Sequence, residues 1–281
     1  MSQRPNYWSI FAMFARNSLI RDMTFRANFI IELVSSFSWS LMNLAFYALV
    51  YNLMAREGRY DIAGWEQYEF FVFIATTIFV NSLVEAFFMD NAEELSELTR
   101  TGGLDFALLK PIDTQFLVSL RRVNWTGLTK LVLVAGLLAY ALPRIEGLRL
   151  TPVHVVLYLF YVLLGVAILY SAMIALAATS IWLGRNQSLY DFWFYITNFS
   201  RYPMEIYDGR FGRPLRNVFT FVIPILVVIN VPATIMAKPL AAETPQRLAL
   251  AGFGLLAAVG SLAASRWIFQ RALLSYRSAS S

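Results

Sequence analysis

Six long apolar stretches, near residues 27–54, 67–89, 123–142, 153–183, 214–236 and 248–270, constrain this chain more than any other feature. A hydrocarbon core about 30 Å thick is crossed by roughly 20 helical residues. Backbone inside lipid has to satisfy its own hydrogen bonds, which a helix does within one segment. The stretches therefore predict an all-α membrane protein with six transmembrane helices. The fourth is long enough to tilt or to run beyond the bilayer. Composition agrees: 58% of residues are hydrophobic and 15% are charged, too few to coat a water-soluble protein of this length. No polar tract is long enough for a separate soluble domain. The chain divides into an N-terminal segment (1–26), a six-span domain (27–270) and a short tail (271–281).

Arginine and lysine orient the spans, because they accumulate in cytoplasmic connections. One set comprises the N-terminal segment, the 90–122 loop, the 184–216 segment and the C-terminal end. It carries 16 basic residues against 6 in the alternate connections, with Lys130 inside a span. That balance predicts both termini in the cytoplasm. Residues 1–26 mix aromatics with Arg16, Arg21 and Arg26, as a helix lying along the inner leaflet would. They lack the continuous apolar core and small-residue cleavage site of a signal peptide.

Much chemistry is excluded. The chain has no cysteine and one histidine, His154, so it supplies neither a thiolate nor a histidine-based metal site. No G-x-x-x-x-G-K-[ST], HExxH or G-x-S-x-G pattern occurs, so no nucleotide loop, zinc protease or nucleophile elbow is expected. The reading is of a non-enzyme with no catalytic, cofactor-binding or metal-ligating residues. Its net charge of +5 is modest and its basic residues flank apolar spans rather than forming a patch, so nucleic acid is not an expected partner.

The most informative polar stretch is DNAEELSELTRTGGLDFALLKPIDTQF, Asp90 to Phe116. Asp90 or Asn91 is expected to cap a helix whose first turn carries Glu93 and Glu94. Gly102 and Gly103 end it, since glycine takes the left-handed cap conformation readily. Leu104 to Leu109 then form a second short helix with Leu104, Leu108 and Leu109 on one side. Pro111 stops it after Lys110, because the residue before proline is driven from helical conformation. The expectation is a rigid knuckle presenting leucines and the aromatic Phe106, beside Asp105, to the cytoplasm. Leucines exposed there call for a partner or for the bilayer, and a helix-in-groove contact to a cytoplasmic subunit would bury them.

Residues 186–213 are rich in aromatics and broken by Pro203 and Gly209. They read as an interfacial segment at the inner leaflet, with Arg201, Tyr202, Pro203, Arg213 and Pro214 as a gate or second partner contact. Pro224 and Pro232 predict kinks in the fifth span. Within the spans, Glu32, Glu85 and Lys130 are the charged residues that stand out, and a Lys130–Glu85 or Lys130–Glu32 pair would relieve the cost of a charge in lipid. Ala167, Ser171 and Ala175 recur every four residues and give the fourth span a strip for close packing.

Two stretches, TGGLDFALLKPID (Thr101–Asp113) and FSRYPMEIYDGRFGRPLRNVFTFVIPILVVINVPATIM (Phe199–Met236), carry a family resemblance. The glycine-leucine-aspartate and leucine-lysine-proline steps of the first, and the repeated X-Pro steps of the second, resemble one branch of the permease subunits of type-two ABC exporters. So does the arrangement of an N-terminal interfacial helix, six spans and a knuckle between spans two and three. The resemblance implies that Leu104 to Pro111 form a coupling helix, with Glu93 to Thr101 as the arm leading to it and Gly102 and Gly103 among the coupling residues. Two permease subunits, identical or paralogous, would enclose a path in the lipid of a prokaryotic inner membrane. A separate ATP-binding-cassette subunit, holding ATP and magnesium, would drive them. An ion-coupled carrier and a non-transporting scaffold are the alternatives. Against the carrier stand the scarcity of deep ionisable groups and the lack of an evident inverted repeat.

Overall fold

The computed structural model describes residues 6–183, 191, 194–195, 198–239 and 245–276. Parts of the expected 186–213 segment and residues 277–281 of the tail lie outside them. Helix α1 (Tyr7–Thr24) is capped by Asn6, whose side chain accepts from Trp8 N and Ser9 N. A break at Phe25 separates it from α2 (Arg26–Arg56). A two-residue hairpin, β1 (Asp61–Ile62) and β2 (Trp65–Glu66), leads into α3 (Gln67–Val84). A π turn over Glu85–Met89 joins α3 to α4 (Asp90–Thr101) without interruption. Two short helices follow, α5 (Leu104–Leu108) and α6 (Thr114–Leu120), then α7 (Trp125–Ala141) and α8 (Pro152–Leu183). The remainder comprises a 3-10 turn (Met204–Asp208), α9 (Gly212–Asn217), a π turn (Val218–Val222), α10 (Ile225–Ala237) and α11 (Pro245–Ser275).

Among the described residues, five helices are long and apolar enough to cross a membrane: Arg26–Arg56, Gln67–Thr101, Trp125–Arg144, Pro152–Trp182 and Pro245–Ser275. They match the expected first, second, third, fourth and sixth spans, and the chain is a multi-pass membrane protein. The second is longer than expected, 35 residues or about 52 Å of helix. Asp90 and Asn91 start no new helix; they lie within this continuous rod, so their capping role is corrected.

The fifth span differs. The 212–222 and 225–237 helices meet at 87° across Ile223 and Pro224. Contacts decide what the bend is. Met204 N, near the start of the pair, donates to Asn230 Oδ1 midway along α10 (2.9 Å). Lys238 Nζ, at its end, bonds Gly64 O in the hairpin before α3 (2.7 Å). Trp65 Nε1 of the same hairpin donates to Glu205 Oε2 (3.2 Å). Entry and exit therefore lie in one half of the bundle, the half away from α5, and the pair is re-entrant rather than a crossing. Pro224 makes the break, having no N–H and a fixed φ, whereas Pro232 sits inside α10.

Tyr7 OH and Tyr276 bring α1 and the end of α11 to the α5–α6 end, against Asp113 and Asp105 respectively. Trp182 meets Ser275 at the α5 end, and Glu205 meets Trp65 at the other.

The core lies around α3, whose buried residues include Phe70 to Thr76 in succession, and α8. In α2 only Tyr47 and Tyr51 are buried.

Candidate functional site

The knuckle forms at the end of α4. Gly102 takes φ +74°, the left-handed cap that an L side chain rarely adopts. A Cβ on Gly103 would stand 2.9 Å from Leu98 Cδ2, so the chain turns here against its own helix. Helix α5 then buries Leu104 and Ala107, while Phe106 is 72% and Leu109 81% exposed, with Leu108 at 41%. The leucine face expected to point outward is thus divided. Leu104 is an anchor, which corrects its placement among docking residues; Phe106 and Leu109, with Leu108 at their side, make the tip. Lys110 and Pro111 are exposed after it, and Asp105 is half-buried beside Tyr276.

What holds this tip was invisible in the sequence. Asp113 caps α6, accepting from Phe116 N (2.9 Å), and receives Arg266 of α11 (Nη1 to Oδ1, 3.0 Å). The Arg266 guanidinium holds the Asp113 carboxyl below the usual aspartate range. The same Nη1 donates to Gln115 Oε1 (3.0 Å), while Gln115 Nε2 and Ser119 Oγ both meet Tyr170 OH of α8 (3.0 and 2.9 Å). Tyr7 of α1 packs edge-on against Phe116, ring centroids 4.8 Å apart. Asn91 clamps the return of the loop: Nδ2 donates to Phe87 O and Arg122 O (both 2.8 Å), and Oδ1 accepts from Arg122 N (2.9 Å). Glu94 receives Arg121 and Arg122 at 3.2 and 3.0 Å. The base of the knuckle is therefore tied to α1, α4, α8 and α11.

Deeper in the bundle, Lys130 Nζ of α7 meets Glu85 Oε2 at 2.6 Å. Glu32 is left outside this pair; its Oε2 accepts from Thr126 Oγ1 at 3.4 Å. Glu85 opens the π turn, and such turns free a carbonyl from the helical ladder. Here Ala86 O accepts from Asn124 N (2.8 Å), the residue that caps α7.

The other expected contacts lie elsewhere than supposed. Arg201, Tyr202 and Pro203 precede the 3-10 turn beside Trp65 and Asn230, and Arg213 and Pro214 lie exposed in α9. All five belong to the half away from the knuckle, so a gate on the knuckle's own face is corrected. Arg216 is paired with Asp208 there. Moving the four arginines of 201–216 changes the basic balance from 16 against 6 to 12 against 10.

Residues 38–280 match the model described as ABC-2 family transporter protein. The chain belongs to that family. Its members are membrane components of ABC transporters and not themselves catalytic. No curated protein and no solved structure matches this ABC-2 chain.

Proposed function

We propose that this chain is the membrane-spanning subunit of an ATP-driven exporter, moved through its α5 knuckle by a separate ATP-binding-cassette subunit. One observation carries the reading: Phe106 and Leu109 stand exposed on a base that polar side chains tie to four helices. An apolar tip in water needs a partner, and a rigid base transmits the partner's motion instead of absorbing it. The knuckle faces the cytoplasm in this reading, consistent with the remaining 12-to-10 basic balance. ATP and magnesium belong to the partner. A second permease, identical or paralogous, completes the path, and the assembly sits in the prokaryotic inner membrane. An ion-coupled carrier has less support: deep among the described spans, Glu85 and Lys130 satisfy each other.

Affinity purification from native membranes in mild detergent, with partners identified by mass spectrometry, tests this. A P-loop ATPase is expected with the wild type and lost with Phe106→Asp, Leu108→Asp or Leu109→Asp. Recovery without any ATPase, under conditions that preserve known complexes, refutes the coupling role.

A further inference from the structure

The hairpin before α3 grips the re-entrant pair at both of its ends. Trp65, 1% exposed, is the residue through which it does so. Its Nε1 donates to Glu205 Oε2 where the pair begins, and Lys238 Nζ stands 4.7 Å over its ring where the pair ends. Lys238 also donates to Gly64 O (2.7 Å) and lies 3.6 Å from Glu69 Oε2 in the first turn of α3. Tyr51 OH of α2 donates to the Trp65 carbonyl (2.8 Å), and the Trp65 ring packs edge-on against Phe73 of α3, which fixes the hairpin itself.

The pair is not held evenly along its length. Near its bend, α10 meets its neighbours at close range: a Cβ on Gly165 of α8 would stand 2.9 Å from Val228 O, and one on Gly254 of α11 3.2 Å from Val227 Cγ1. Toward Lys238 a cavity of about 240 Å³ parts α10 from α8 and α11. Val231 and Ile235 line it from α10, Leu157 and Tyr161 from α8, and Glu205 and Lys238 belong to its wall. The two groups that Trp65 holds are thus two groups that bound the cavity. Their contacts are polar and lie at the edge of water, the Lys238 and Glu69 side chains being 16% and 15% exposed. Such contacts exchange for hydrogen bonds to water when they part, so their net worth is small. A close-packed pivot at one end and a polar catch beside a void at the other are what a hinged element needs.

We propose that the hairpin is a strap and Trp65 its catch, holding the re-entrant pair closed over the cavity. When Glu205 and Lys238 leave Trp65, the free end of the pair swings about the Gly165–Val228 contact and the cavity opens to water. The Glu205 and Glu69 carboxylates and the Lys238 ammonium pass into water together, so no charge is left alone in an apolar site. Helices α3 and α4 form one rod from the strap to the knuckle, a direct mechanical line from α5 to the catch. The inference rests on the transport reading above, for which it supplies a closure on the side away from the ATPase.

The chain has no cysteine, so a single Val231→Cys in the cavity wall, at a position 7% exposed, reports opening through its rate of labelling by a water-soluble maleimide. The test uses the purified full chain in lipid nanodiscs, with whatever subunits accompany it. Labelling is expected to be slow, and to rise about tenfold with Lys238→Met, the scale of one charge-assisted hydrogen bond. Trp65→Phe, which keeps a ring but not the N–H, should raise it several-fold. Val118→Cys, at a position buried at the knuckle end, reports unfolding and should stay unlabelled in every background. Rates indifferent to both substitutions, or a rise at Val118→Cys equal to that at Val231→Cys, would overturn the strap. These comparisons need no ATPase, so they stand or fall apart from the transport reading. In a complex that hydrolyses ATP, added ATP and magnesium should speed labelling of Val231→Cys; an unchanged rate during hydrolysis would overturn the strap's part in transport.

Discussion

The two ends of this bundle share long-range polar ties, but they differ in how much close apolar packing stands behind them. At the knuckle end, side chains far apart in sequence are joined by hydrogen bonds and ion pairs: Asp113 to Arg266, Gln115 and Ser119 to Tyr170, Asn91 to Arg122. At the re-entrant end, α10 buries twelve of its thirteen residues, and Val228 O lies 2.9 Å from where a Cβ on Gly165 would be. Polar ties are directional and keep a surface element in one pose at the edge of water. Close apolar packing fills space inside the bundle but leaves no surface to offer. The difference suits the roles proposed for them, one end meeting a partner and the other sealing.

The comparison breaks most severely at the polar clamp. Asn91→Ala removes all three bonds of a buried amide and leaves Arg122 N and O without those partners. Loss of about 3 kcal/mol is expected from orphaned buried backbone groups, read as a lowered midpoint of thermal unfolding in detergent. Asn91→Asp, which keeps the acceptor for Arg122 N but brings a charge, should not restore it. A loss below about 1 kcal/mol would show that the ties are ornamental and that packing holds both ends.

Gly165→Ala probes the sealing end. The new methyl meets the Val228 carbonyl and Cγ1 at 2.9 Å, and backbone cannot yield as a side-chain tip can. Overpacking of this kind costs about 2 kcal/mol. The knuckle end should be unaffected, so ATPase association in the surviving folded fraction should match the wild type. If association falls as steeply as stability, the two ends are not separable.

How much of this was legible beforehand follows from the same division. Five spans were readable because length and apolarity suffice to define them, and the glycine-terminated knuckle because Gly102 is a local signal. The fifth run misled because hydropathy cannot tell lipid from protein. Ile225–Ala237 is as apolar as a span, yet at thirteen residues it is only about 20 Å long and is covered by α3, α8 and α11. The arginines of 201–216 were grouped with the knuckle end because 184–216 read as one connection; Glu205 beside Trp65 puts residues 201–216 at the hairpin's end instead. Leu104 looked like its neighbours Leu108 and Leu109 because one turn of helix does not reveal which face meets the bundle. Asp113 and Arg266 lie 153 residues apart, and nothing local to either announces the other.

That pair gives a smaller and pH-dependent effect. The guanidinium depresses the Asp113 carboxyl, so its contribution is present above the ordinary aspartate value near 4 and lost as pH falls through the lower folded value. Both side chains keep substantial exposure, 43% for Arg266 and 33% for Asp113, so solvent screening limits the contribution to about 1 kcal/mol or less. Unfolding midpoints between pH 5 and pH 2.5 should fall less steeply for Arg266→Ala than for the wild type. Parallel pH profiles would remove Asp113 from the ties that matter.

The smallest effect on stability should accompany the largest effect on assembly. Phe106 and Leu109 project from the tip and are 72% and 81% exposed, so Phe106→Ser and Leu109→Ser sacrifice little burial. Exposed substitutions of this kind stay within about 0.5 kcal/mol. An apolar residue that fills a partner's groove is another matter, since anchors of that type carry more than 2 kcal/mol of binding each. The double variant should unfold with the wild type and fail to retain an ATPase on affinity purification. Leu104→Ser, three residues from the tip centre but fully buried, should do the reverse at first: lose stability by about 3 kcal/mol, as core truncations do, and weaken association only through the knuckle it no longer anchors. If the tip variant unfolds early, Phe106 and Leu109 are covered by this chain rather than presented, and the knuckle is a fold-back on the bundle instead of a handle.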